Sequence, residues 1–199
     1  MPLGSDLLDV LPFREAAVCD YVRGLTPEQL TGREPHHHPE FRVRVVEGAA
    51  ALYDALAEDM LLRIAQAAAE DRRFVAVFPV GPTGQYPRLA AKINQRRLSC
   101  AHVHLFFMDE YAYEDGTTIA KDSPWSFERV AREKLLTAIA PELRPPDHQF
   151  HFPGPDNVDR YDELIWEASF GKGPEVIYGG IGWSGHFAFW DPHLWAEFD

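Results

Sequence analysis

Residues 74–84, Phe74-Val-Ala-Val-Phe-Pro-Val-Gly-Pro-Thr-Gly84, decide the fold. The stretch begins with an unbroken apolar run, Phe74 to Phe78, with no alternation of polar residues. A strand of that kind is covered on both faces and belongs in the middle of a parallel sheet. Pro79 to Gly84 then turn the chain, and a helix is predicted over about Arg88 to Gln95. A second covered strand is expected at Val103 to Met108 and a last one at Glu175 to Tyr178. Upstream, Phe41-Arg-Val-Arg-Val-Val46 alternates as a half-buried strand does. Glu47-Gly48 then opens a long helix with Leu52, Leu56, Met60 and Ile64 on one face.

Downstream, Ser123 offers an N-cap and Pro124 a first helical residue for a helix whose stripe is Phe127, Val130, Ala131, Leu135 and Ala138. Asn157 is expected to cap another helix, with Tyr161, Leu164, Ile165 and Ala168 on one side and a break at Gly171-Lys-Gly-Pro174. Strands alternating with helices indicate an α/β fold, a doubly wound, mainly parallel sheet with helices on both faces, Rossmann-like in outline. Residues 1–40 read as an irregular N-terminal extension with a short helix around Arg14 to Arg23, and 41–199 as the α/β domain.

The 199 residues are 46% hydrophobic and 25% charged, the balance of a soluble globular chain. Nineteen Lys and Arg against 31 Asp and Glu leave a net charge of −12, which disfavours nucleic acid and anionic membranes as partners. No stretch reaches the length that spans a bilayer, and Cys19 and Cys100 form no disulfide or metal pattern, so a cytoplasmic protein is expected. An acidic chain that binds an anion has to focus positive potential locally, through backbone dipoles or a few cations.

Three unusual segments each follow an expected strand, where parallel sheets bind their ligands. Gly81-Pro-Thr-Gly-Gln-Tyr-Pro87 leads into a helix, so amides near Thr83 to Tyr86 can face a phosphate, with the Thr83 hydroxyl adding a donor. A purely structural Gly/Pro turn is the competing reading. Met108-Asp109-Glu110-Tyr111 sets two adjacent carboxylates at a strand end, suited to proton shuttling or, more simply, to capping a helix. Gly179-Gly-Ile-Gly-Trp-Ser-Gly-His-Phe-Ala-Phe-Trp-Asp-Pro192 combines glycines, which permit close backbone approach, with His186 and Asp191, an imidazole and a carboxylate to orient it. His36, His37 and His38 with His102 and His104 are read as polar loop and strand residues rather than as metal ligands, and Cys100 as inert core. No cofactor or metal is expected.

In this order the segments resemble the glucosamine-6-phosphate deaminase/isomerase family, whose superfamily includes 6-phosphogluconolactonases. The resemblance covers about Phe41 to Pro192 and rests on Pro82-Thr83-Gly84, Met108-Asp-Glu-Tyr111, Ser126-Phe127, and Gly179-Gly180-x-Gly182-x-x-Gly185-His186 with Ala188-Phe189. Tyr111 favours the deaminase branch, since lactonases usually place Arg there. The resemblance implies an enzyme acting on a small sugar phosphate. Asp109 is then the base that carries a proton between C1 and C2, and His186 assists ring opening with support from Asp191. Thr83, Gly84, Gln85, Tyr86, Glu110 and Gly180 are the implied substrate and phosphate contacts.

Several positions depart from the family pattern. Ser184 stands where the family has an aspartate, and it can orient His186 by a hydrogen bond without supplying charge. Trp183 and Trp190 narrow the expected pocket, and Gln85 and Tyr86 replace smaller residues in the phosphate loop. Family members continue past the Asp191-Pro192 equivalent with cationic residues that clamp phosphate, so the domain is expected to be incomplete at its C-terminus. Arg88, Lys92 and Lys121 are the remaining candidate cations, and a homo-oligomer could supply others. The departures leave two other functions open: a sugar-phosphate sensor or assembly subunit with impaired catalysis, and lactone hydrolysis.

Overall fold

The computed structural model describes residues 44–182 without a break, together with 16–26, 28, 29, 32, 40, 42 and 186. Contacts divide the chain into two compact units, one of residues 48–180 and one of residues 1–47 with 181–199. The second unit holds α1, Ala16–Arg23, inside the expected helical preface. The described residues Arg42 and Arg44 to Val46 form no strand, against the alternation of that stretch. Val45 is 63% exposed, so the pattern there has no sheet on which to bury its apolar side.

The first unit runs α2 (Gly48–Ala69), β1 (Phe74–Phe78), α3 (Gln85–Arg96), β2 (Val103–Phe107), α4 (Phe127–Ala131), β3 (Phe150–His151), α5 (Tyr161–Ala168) and β4 (Val176–Ile177). The four strands are parallel in the order β3-β2-β1-β4. All of β1 is buried, as its unbroken apolar run requires, and it pairs with β2 from Phe74 opposite Val103 to Phe78 opposite Phe107. Alternate residues of these strands serve opposite faces. Phe74, Ala76, Phe78, Val103, Leu105, Phe107 and Phe150 pack on one side with Ala57, Met60, Leu61 and Ile64 of α2 and Leu89 and Ile93 of α3. Val75, Val77 and Phe106 pack on the other side with Tyr161, Leu164, Ile165 and Ala168 of α5. Burying each such Phe is worth about 1.5–3 kcal/mol of transfer free energy. The doubly wound α/β architecture read from the sequence is the one observed.

Local details differ. On α2 the buried face is Ala57, Met60, Leu61, Ile64 and Ala67, while Leu52 is 42% exposed, so the strict four-residue stripe drifts out of the core at its start. The helix after β2 is capped by Ser126 rather than Ser123, its Oγ accepting from the Arg129 amide. It passes into a π-helical turn, Arg132–Leu136, which is wider than an α-turn and shifts the register. Leu136 and Ile139 are therefore buried and Ala138 is exposed. Asn157 does not cap with its side chain. It closes its own loop instead, accepting from the Gly154 amide and donating to the Phe152 carbonyl.

From β1 the chain steps through β2 to β3 on one side, and β4 returns to the other edge of β1. The β1/β4 boundary is thus the topological switch point, the place where sheets of this kind hold their ligands.

Candidate active site

The switch point is bordered by the loop after β1 and the start of the glycine-rich loop after β4. The Tyr178 amide donates to the Val77 carbonyl at 2.9 Å, carrying the β4 ladder to its last residue. Two residues on, a Cβ added to Gly180 would stand 2.8 Å from the Gly81 carbonyl oxygen and 3.4 Å from Pro82 Cδ. Glycine at 180 is therefore what lets the two loops touch. The Gly81-Pro82 peptide is cis. Gly84 meets the Tyr53 ring so closely that a methyl group would overlap it. Gly84 thus serves the packing of its turn on α2, and Gly180 the contact between the two loops.

The Gly84 to Tyr86 turn is partly consumed by its own structure. The buried Gln85 side chain donates to the Pro82 carbonyl at 2.5 Å. The Tyr86 amide donates to the Thr83 carbonyl at 3.1 Å, and its fully buried hydroxyl donates to the Pro79 carbonyl. Tyr86 thus has neither donor left for a phosphate, which corrects the role its position suggested. Burial holds the Tyr86 phenol far above its usual pKa, and the nearby Asp109 charge adds to that effect. Among the described residues, the amides of Thr83, Gly84 and Gln85 and the Thr83 hydroxyl have no protein acceptor. They are the groups with which this turn can meet an anion.

Asp109 lies one residue beyond the end of the β1/β2 ladder, where the Met108 amide donates to the Phe78 carbonyl at 3.2 Å. It is half-buried, and its charge helps to raise the pKa of Tyr86 in the first turn of α3. Glu110 behaves differently. Its two oxygens accept from the Tyr111 amide at 2.9 Å, Ser126 Oγ at 2.8 Å, the Phe127 amide at 2.9 Å and the Glu128 amide at 2.8 Å. A carboxylate has about four acceptor sites, so Glu110 is spoken for as a helix cap and is not placed as a substrate ligand.

The candidate cations are engaged as well. Arg88 pairs with Asp54 at 2.9 Å and donates to the Gly84 carbonyl at 2.7 Å. Lys92 pairs with Glu58 at 2.6 Å and Lys121 with Glu128 at 3.1 Å. His186 belongs to the second unit, where its carbonyl accepts from the Gly182 amide at 2.9 Å and its ring lies directly over Gly182. Gly182 is thus the glycine its own loop requires. Ser184 and Asp191 lie outside the described residues. Cys100 is buried, and burial pushes its thiol up to about 12, in keeping with an inert core residue.

Two residues beside these segments have structural roles that the sequence did not specify. Ser126 is fully buried and joins Glu110 to the helix it caps. Tyr178 donates to Asp59 of α2 at 2.5 Å, and Arg63 donates to the same oxygen at 2.8 Å, which anchors the strand end before the glycine-rich loop. A Ser three residues before a helical amide could have marked the first.

No protein-family model matches the chain. A glucosamine-6-phosphate deaminase of Porphyromonas gingivalis is 31% identical over 151 residues, which are 70% of this chain and 54% of that protein. One of Drosophila pseudoobscura pseudoobscura is 31% identical over 128 residues, 61% of this chain and 43% of that protein. A solved monomeric glucosamine-6-phosphate deaminase superposes with a TM-score of 0.58 at 20% identity, over 72% of this chain and 56% of that one. For 6-phosphogluconolactonase from Thermotoga maritima the TM-score is 0.51 at 20% identity, over 69% and 59%. The curated relatives support the glucosamine-6-phosphate deaminase family for this chain, and the two solved structures share its fold. It spans about half the length of the curated relatives it matches.

Proposed function

We propose that the chain carries the site of a sugar-phosphate aldose–ketose isomerase of the deaminase kind, with Asp109 as the base. The observation that carries this reading is the position of Asp109, half-buried just past the carboxyl end of β2, the strand paired with β1 beside the switch point. In the open-chain aldose, Asp109 takes the C2 proton as the C1 carbonyl becomes an enol, and returns it to C1 as the C2 carbonyl forms. With a 2-amino sugar the same transfer yields an imine at C2, and water adds there as ammonia leaves. Thr83, Gly84 and Gln85 amides hold the phosphate, and His186, oriented by Ser184 and Asp191, moves the proton on the ring oxygen. Deuterium incorporation at C1 of fructose 6-phosphate tests the reading. Wild-type exchange that falls by about 10²-fold or more in Asp109→Asn supports it. No exchange by the wild type, or undiminished exchange by the variant, overturns it.

Ser184 in place of a carboxylate, with Gln85 and Tyr86 in the phosphate loop, supports one alternative, a sugar-phosphate sensor or assembly subunit with impaired catalysis. Calorimetric saturation by fructose 6-phosphate without C1 exchange would select that alternative. Hydrolysis of 6-phosphogluconolactone would select the lactonase.

A further inference from the structure

We propose that Glu110 is a positioning residue for Asp109, a role that rests on the isomerase reading and differs from contact with substrate. Helix α4 begins at Phe127, and its leading amides need acceptors from outside the helix. Ser126 Oγ accepts from the Arg129 amide at 3.2 Å and donates a hydrogen bond to Glu110 at 2.8 Å. Glu110 itself takes the Phe127 and Glu128 amides, so the start of the helix is tied to the residue that follows Asp109. The Tyr111 amide closes onto the same carboxylate, and the Tyr111 ring packs against Phe127 with centroids 4.6 Å apart.

Asp109 is thereby held from both directions. On its N-terminal side the Met108 amide is bonded to the end of β1, and on its C-terminal side the Glu110 carboxylate grips a helix from a later part of the chain. A base that serves two adjacent carbons tolerates little displacement, since a shift of about 1 Å can cost 10²-fold in rate. Glutamine at 110 keeps the shape but turns an NH2 toward one pair of donors, so it opens the clamp without emptying the space. Ser126→Ala removes the hydroxyl's bond to Glu110 and its cap bond from the Arg129 amide, and changes no charge.

The experiment pairs amide hydrogen exchange of the ligand-free protein with steady-state C1 exchange of fructose 6-phosphate, on the wild type, Glu110→Gln and Ser126→Ala. Ile139→Val, in the core beyond the helix, serves as a control for lost stability. Both clamp variants are expected to lose about tenfold or more in protection at Asp109, Tyr111, Phe127 and Glu128 together. Their kcat should fall by about tenfold or more, with KM within about threefold, while the control keeps its kcat. Protection that falls only at Phe127 and Glu128, or a kcat that stays at the wild-type value, overturns the positioning role. A wild type without C1 exchange refutes the isomerase reading by itself. The joint loss of protection at Asp109 and Tyr111 still decides whether Glu110 and Ser126 hold that segment.

Discussion

Replacing Gly180 by alanine probes the contact between the two loops at the switch point. The new methyl carbon would lie 2.8 Å from the Gly81 carbonyl oxygen. An ordinary carbon–oxygen contact needs about 3.3 Å or more, so the loops would have to part by about half an ångström. Neither is free to do so, because the Tyr178 amide is bonded to Val77 and the Gln85 side chain to the Pro82 carbonyl. Overpacking of this sort costs about 1–3 kcal/mol. Gly180 does not occupy the left-handed region, so alanine there also narrows the unfolded ensemble, a gain of about 0.4–1 kcal/mol. The net loss is about 0.5–2 kcal/mol, or roughly 2–8 °C in melting temperature. Gly81→Ala is the matched control. Its Cβ would meet nothing within 4 Å, so only the unfolded-state term remains and the melting temperature should hold or rise. Thermal denaturation of the two variants decides the matter. A Gly180→Ala protein that melts no lower than Gly81→Ala refutes the loop contact.

Two further outcomes follow from the network around the sheet. Tyr178→Phe removes the donor to Asp59 and should cost about 1 kcal/mol in urea unfolding, since that carboxylate is only partly buried. Burial works to raise the Asp59 pKa, and the bonds from Arg63 and Tyr178 outweigh it, so its carboxyl should titrate higher in the variant by NMR. His104 supplies a pH dependence. Burial first, then the charges of Arg73 and neighbouring histidines, lower it from 6.5 to about 4, and the Gln149 amide 2.7 Å from Nε2 requires a neutral nitrogen there. The unfolded chain therefore takes up a proton that the folded one refuses between those two values. Its contribution to stability is intact above 6.5 and is lost as pH falls toward 4. Solvent screening of the half-buried ring reduces the loss to about 1–2 kcal/mol. His104→Gln should flatten that part of the stability profile, and an unchanged slope in urea titrations at stepped pH would contradict the assignment.

The covered strands β1 and β2 were legible because burial on both faces leaves a sequence mark, an apolar run too short for a helix between turn residues. β3 left none, since two residues, Phe150 and His151, are too few to show a period. The π-turn after Ala131 was equally silent, because the sequence pattern assumes a constant helical repeat and the extra residue becomes visible only in which of Leu136, Ala138 and Ile139 is buried. At the site, the order of motifs along the chain identified the loops and the acidic pair. It could not apportion the pair. What separates Glu110 from Asp109 is a set of donors 16 to 18 residues further on, and such partners depend on the path of the chain between them.

The net charge of −12 acquires a specific meaning from the ion pairs. Arg88, Lys92 and Lys121 face Asp54, Glu58 and Glu128, so these cations spend their charge on helix-to-helix and loop contacts. Arg88 shows the consequence most directly. Its guanidinium holds the Gly84 carbonyl at 2.7 Å while its charge is balanced by Asp54, so it shapes the turn more than it attracts an anion. Among the described residues, the donors that this turn leaves without a protein acceptor are the amides of Thr83, Gly84 and Gln85 and the Thr83 hydroxyl. Such dipoles act at contact distance, and they select an anion by fit rather than by long-range attraction. The glycine contacts at 84 and 180 fix the backbone that carries or borders those amides, which makes the packing of the loops part of the chemistry of the site.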